Sequence, residues 1–289
     1  MNHDIVATKN DFRLLSNSSE LENRSFLFWG FDRGNIKRTS LYKQFILNNK
    51  ELAFSFGDKV FIIKNELLTQ THKDVLEALI MLCDISSDNE HVISHSSILN
   101  ALDKNSKNVF WLDGILEELG NVNFRFFLKN VKGDNIKANG FKILDTVGID
   151  NESDFIKFSF SRNFLALYEQ GKVFNYCKYT PFIANLDHDI SKQVVRYLLT
   201  YDNLRINIKS LLTEKLGLLN VVSKSVIYKY ISFLKEEDLT MFGIWVEGNN
   251  ICISRSKEVG FFDGVSGSGV KGAERVVLKQ STLPFFDLS

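Results

Sequence analysis

The sequence predicts an α+β chain of two tandem units, each a three-helix set with a small antiparallel sheet. Three observations predict it. Apolar residues recur at helical spacing in two groups, roughly 71–119 and 189–238. Each group is followed by short alternating runs of strand character. A hydrophobic share of 44% with only two prolines supplies real cores and few rigid breaks. At 289 residues, one large or two ordinary domains are expected. The boundaries fall at 1–50 (an arm, partly disordered), 51–160 (first unit), 161–257 (second unit) and 258–289 (linker and tail).

Taken in order, residues 1–25 are polar and give a loose arm. The aromatic run Phe26 to Phe31 either docks on the core, the favoured reading, or marks an interface. Ile36 to Leu47 mixes Lys37, Arg38 and Lys43 with Leu41, Tyr42 and Phe45, as a connecting strand or short helix does. Phe54 to Ile63 contains a hairpin turning at Gly57-Asp58. A helix runs from about Thr71 to Asp84, with Val75, Leu76, Leu79 and Leu82 at helical spacing, and a shorter one from Ser97 to Leu102. Ser106 caps a third, with Val109, Phe110, Leu112, Ile115, Leu116 and Leu119 inward, ending at Gly120. Strand-like runs follow at Val122–Leu128, Phe141–Leu144 and Phe155–Phe160. A linking helix spans Ser161 to Gly171. Val173 to Ile183, with Pro181, is irregular or extended. A helix from about Asp189 to Tyr201, with Ile190, Val194, Tyr197 and Leu198 inward, opens the second unit. The two units match in element order, without a residue-level repeat.

Asn207 to Lys257 is the most informative stretch. One helix covers Ile208 to Leu216 and closes at Gly217; a second runs from near Ser223 to Asp238. Ile227, Tyr230, Ile231 and Leu234 give the second helix a buried face. Lys224, Ser225, Tyr228, Lys229 and Ser232 recur on the other. Phe242–Val246 and Ile251–Arg255 form a hairpin through residues 247–250. Helix, turn, helix, hairpin is a winged helix, whose second helix enters a major groove when it binds DNA. Winged helices also serve as protein-binding modules, and two outward lysines are ordinarily just solvated. Local charge favours DNA. Between Leu204 and Lys235, Arg205, Lys209, Lys215, Lys224, Lys229 and Lys235 face a single acid, Glu214, a local +5 in a chain of zero formal charge. Residues 61–150 carry nine basic and thirteen acidic side chains, a net −4, so the first unit is the poorer nucleic-acid binder.

Other chemistry is thinly supported. Cys83, Cys177 and Cys252 lie far apart without metal or redox spacing and read as buried thiols of a reducing, cytoplasmic compartment. No signal peptide and no run near 18 apolar residues is visible. His91 and His95 are four apart, in a setting poor for a metal, so no metal or cofactor is expected. Glu117 and Glu118 point to different sides of their helix. Tyr168, Tyr176 and Tyr179 lack the His or Arg partners of a nucleophilic tyrosine. There is no Walker motif, and Gly267, Gly269 and Gly272 form a G-x-G-x-x-G without the βαβ unit it requires.

Several fragments resemble the plasmid replication initiators of the TrfA and RepE type, which consist of two tandem winged-helix domains. Ile36 to Tyr42 resembles the family's basic-Ser-x-Leu-Phe entry segment, and Phe61 to Leu82 its opening strand and first helix. Ser97 to Leu119 resembles its first helix-turn-helix and Gly140 to Val147 the strand before the domain junction. Asn185 to Tyr201 resembles the start of its second domain, where Ser191 and Arg196 match a Leu-Ser-x-x-Arg helix approximately. The resemblance implies an origin-binding protein that recognises repeated sites (iterons), with the second winged helix making the main base contacts and the first serving dimerisation and secondary DNA contacts. Here no Arg lies between Lys224 and Asp238, so Lys224, Ser225, Tyr228, Lys229 and Ser232 are the candidate readers. Arg205, Lys209, Arg255 and Lys257 would hold the DNA backbone.

Past Lys257, Gly264 to Gly272 is a flexible linker. The end of the sequence then resembles the short peptide by which bacterial proteins bind the DNA polymerase sliding clamp. Gln280 offers a polar anchor, Leu283, Phe285 and Phe286 apolar ones, and Pro284 lowers the ordering cost. A hydrophobic terminus folded back on the core is the plainer alternative.

The expectation is therefore a non-enzymatic plasmid or phage replication initiator. It binds double-stranded origin iterons, helps open the origin, and engages the sliding clamp, the host initiator and the replicative helicase, in a monomer–dimer equilibrium without a membrane. The alternatives are a winged-helix transcriptional repressor and, more remotely, a tyrosine nicking enzyme.

Overall fold

A computed structural model describes residues 18–19, 28–31, 36–56, 59–83, 90–129, 135–137, 142–149, 154–165, 173–174, 176–218 and 222–254. The observed class is α+β, with helices packed on small antiparallel sheets. The described residues all fall within one compact unit, 1–259.

The first half opens with α1 (Ser40–Leu47), a helix rather than a strand, whose start is fixed by Thr39 accepting from the Tyr42 N–H through its hydroxyl. Strands β1 (Glu51–Phe56) and β2 (Lys59–Lys64) form the expected hairpin, with Phe56 paired to Lys59. Helix α2 (Gln70–Leu82) begins at a capping box. The His72 Nδ1 accepts the Thr69 N–H, so its Nε2 carries the proton and donates to Glu118 at 2.6 Å. Strand β3 (His91–Ser94) leads into α3 (His95–Ala101), capped by Ser94. Helix α4 (Val109–Asn121) follows a 3₁₀ turn, Ser106–Asn108, that is capped by Asn105 rather than by Ser106. Phe110, expected inward, is exposed, because the helical period sets it opposite the buried face of Leu112, Ile115, Leu116 and Leu119. Strands β4 (Asn123–Lys129) and β5 (Asn135–Lys137) extend the first sheet in the order β1-β2-β4-β5. Strands β6 (Leu144–Ile149) and β7 (Phe155–Phe160) join β3 in a second sheet, order β3-β7-β6. The strand expected at Phe141–Leu144 starts at its last residue instead.

The linking helix is described only as a turn at 162–165. The segment expected to be irregular around Pro181 is helical. A 3₁₀ turn at Cys177–Tyr179 runs into α5 (Thr180–Ala184), with proline in the first turn, where its missing N–H costs nothing.

Helix α6 (Asp189–Leu198) crosses α2 at the centre. Ile190, Val194, Tyr197 and Leu198 are inward as expected, but Ser191, Lys192, Gln193 and Arg196 are buried too. The reason lies on α2, which buries Gln70, Lys73, Asp74 and Glu77 opposite them. Arg196 donates to Asp74 at 2.7 Å, to Gln70 at 2.8 Å and to Glu77 at 2.8 and 3.0 Å. Lys192 donates to Asp74 at 2.7 Å and to the Ala184 carbonyl at 2.9 Å, and the Tyr176 hydroxyl donates to Glu77 at 2.8 Å. Lys73 lies 3.6 Å from Glu77 and over the Phe28 ring, and Asp189 lies 3.5 Å from Lys192. Three cations thus meet three carboxylates. Burial opposes the Arg196 charge, yet Glu77 and Asp74 outweigh it and raise the guanidinium pKa.

The N-terminal aromatics complete this core, since Phe28, Trp29 and Phe31 are buried as expected. The Phe28 carbonyl accepts from the Gln70 amide at 2.9 Å, and Trp29 bridges Thr69 in parallel.

Beyond α6 comes a strand that the sequence pattern concealed, β8 (Asn203–Asn207). Helix α7 (Ile208–Ser210) runs on into a π-helical turn, Leu211–Lys215, and ends before Gly217, whose φ is +63°. Helix α8 (Lys224–Glu236) follows, then β9 (Ile244–Glu247) and β10 (Asn250–Ser254), in the sheet order β8-β10-β9. The hairpin is tighter than expected. Glu247 pairs with Asn250 across Gly248-Asn249, and Gly248 takes φ +64°. Phe242 lies in a 3₁₀ turn rather than in the strand. Among the described residues no helix is long and apolar enough to cross a membrane.

Candidate nucleic-acid interface

The geometry of α8 follows from its period. Ile227 and Leu234 are buried and Tyr230 and Ile231 half-buried, so the opposite face turns to solvent. Lys224, Ser225, Tyr228, Lys229 and Ser232 are all exposed, Tyr228 at 60%. The helix starts at Ser223, which makes no side-chain cap; its hydroxyl lies 2.8 Å from that of Ser225. Among the described residues no side chain caps the first-turn N–H groups, which lie beside the cation of Lys224.

Lys229 is oriented from behind. Its ammonium lies 5.2 Å from the Phe233 ring centroid, and Phe233 stacks on His188 at 3.6 Å. Sequence reading missed this support, because His188 sits forty-one residues before Lys229 and only the packing of α6 against α8 brings it there. At the other end of α8, Lys235 donates to Asn249 at 3.2 Å, and Asn249 accepts the Ile208 N–H at 2.9 Å, so α8, the hairpin turn and α7 are joined.

Arg205 lies on β8 opposite Cys252, exposed, with Glu247 3.4 Å away. Part of its charge is thus answered within the protein. Lys209 is exposed in the first turn of α7, whose N–H groups Asn207 caps. Arg255 and Lys257 lie outside the described residues, as do Gln280, Leu283, Pro284, Phe285 and Phe286.

The other sequence candidates have structural duties. Tyr176 and Tyr179 are core residues; Tyr168 is outside the described set. His91 packs against Phe158 and Phe160, while His95 bonds Asp113 at 2.8 Å and lies 3.5 Å from Asp154. Glu118 is taken by His72, and Glu117 is exposed. Among the described residues no group of three His, Cys, Asp or Glu is placed to hold a metal.

No family model matches the sequence, and no curated protein matches it. In fold, the chain is similar to the crystal structure of RctB domains 2-3, with a TM-score of 0.50 and 11% identity, over 72% of this chain and 92% of that one. A selenomethionine derivative of RctB domains 2 and 3 gives 0.48 and 12%, over 71% and 90%. At such identity the likeness is one of fold.

Proposed function

We infer that the chain is a replication initiator that binds repeated double-stranded sites at a plasmid or phage origin. The observation that carries this reading is the α8 surface, where five cationic, hydroxyl and phenolic side chains share one exposed face above an uncapped helix start. The carboxylates Glu236, Glu237 and Asp238 fall at the far end of α8, away from a groove entered by its N-terminus. The fold is shared with domains of RctB, a replication initiator, and that likeness of architecture supports the class.

On this reading residues 51–160 and 161–257 are tandem winged helices, the second reading the bases through Lys224, Ser225, Tyr228, Lys229 and Ser232. Lys209 and Arg205 hold the backbone, joined by Arg255 and Lys257. The protein acts without catalysis, in a monomer–dimer equilibrium, and brings the host initiator and helicase to the origin. Gln280 to Phe286 recruits the sliding clamp; deletion of 280–289 is expected to abolish clamp pull-down and leave DNA binding intact.

Footprinting on the DNA that flanks the protein's own gene tests the function. Protection of several evenly spaced direct repeats is expected. A single palindrome over a promoter would replace the initiator with a repressor, and no protection at any salt would remove DNA binding altogether.

A further inference from the structure

Helix α4 holds the same place in the first half that α8 holds in the second, following a short helix and leading into a sheet. Its outer face has the opposite chemistry. Phe110 is 89% exposed, and Asp113 and Glu117 follow on the same side. Across from them runs β6, the edge strand of its sheet, which brings Asp145, Val147 and Ile149 to an open groove of about 670 Å³. Helix and strand close on each other at Gly120, where an added Cβ would stand 3.0 Å from the Val147 side chain. A register shift between Leu144 and Thr146 marks a bulge at Asp145. Among the described residues, no backbone hydrogen bond reaches the outer edge of β6 beyond it, and neither Glu117 nor Asp145 has an ion-pair partner.

Three carboxylates, of which Asp113 is already bonded to His95, face one lysine, Lys142, around the groove, so it is net negative and nucleic acid is a poor occupant. A second copy is poor as well, because a two-fold interface would set this acidic patch against itself. We propose that the groove between α4 and β6 docks an extended, basic and apolar peptide segment of a partner protein. Phe110, Val147 and Ile149 receive its apolar side chains, Glu117 and Asp145 its cations, and the open edge of β6 offers backbone partners. The first half of the chain is then a protein-docking module, on a surface separate from α8.

The probe is a fluorescein-labelled peptide alternating lysine with valine and leucine, read by anisotropy against the full chain at about 0.15 M salt, beside a control with glutamate for lysine. Saturable binding of the lysine peptide alone is expected. Phe110→Ala should weaken it about tenfold or more, and so should Glu117→Lys with Asp145→Lys, which should also gain affinity for the glutamate peptide. Because these side chains are exposed, melting temperatures should stay unchanged, and so should DNA binding through α8. Equal affinity in all variants, or no saturable binding, would overturn the proposal. Self-association lost in Phe110→Ala would overturn it in favour of a second copy.

Discussion

Arg196 on α6 donates to Asp74 on α2 at 2.7 Å, across 122 residues of sequence and with both side chains out of water. The pair is the centre of a balanced network that joins the two halves of the chain. Its members are polar residues on helices that carry no solvent face, so each depends on its partners.

Removing one partner should therefore be costly. Arg196→Met leaves Asp74 and Glu77 facing each other, and a loss of about 3–5 kcal/mol is expected in denaturant unfolding. Arg196→Met combined with Asp74→Leu should recover part of that loss, since it leaves Lys73 with Glu77 and Lys192 with Asp189 and keeps the buried charges balanced. A double variant no more stable than the single one would show that the network contributes more than paired charge.

On α8, Lys229→Ala should weaken DNA binding and lower the slope of log affinity against log salt by about one phosphate's worth. His188→Ala, which touches no DNA on this reading, removes the ring behind Phe233 and should weaken binding less, leaving the slope unchanged. Salt titrations of both variants decide this, and an unchanged slope for Lys229→Ala would take its ammonium off the phosphates.

Gly248 sits at φ +64° with open space around it. Gly248→Ala should cost about 1 kcal/mol through backbone strain alone, and Gly248→Asn less, because asparagine tolerates the left-handed region. Thermal melts of the two variants rank them.

Burial pushes the Cys83 thiol from 9.0 up to about 12, and burial together with the Glu77 charge pushes Cys177 up to about 11. At about pH 8 their thiolate fractions are then roughly a thousandth and a hundredth of those of free thiols, so iodoacetamide should label them slowly until the chain unfolds. The sign for stability follows. The thiols ionise first in the unfolded chain, so their contribution is intact below pH 9 and declines as pH rises towards about 11 and 12. A pH series of denaturation midpoints tests it.

The sequence by itself determined the α+β class, the buried and exposed faces of α8, the hairpin after it and the docking of Phe28 to Phe31. Each is a local pattern, because helical and strand periods are written in consecutive residues and need no distant partner. It missed β8, whose five residues Asn203 to Asn207 form a strand only because β10 lies beside them. It placed only the apolar residues of α6 inward, whereas α2 supplies the carboxylates that bury Lys192 and Arg196. It gave Lys229 no support, since His188 and Phe233 meet through packing alone. What only the tertiary structure decided is therefore what depends on pairing between distant residues: which charges are buried, which strand has an open edge, and that α4 faces solvent with carboxylates where α8 presents lysines beside an unfilled groove.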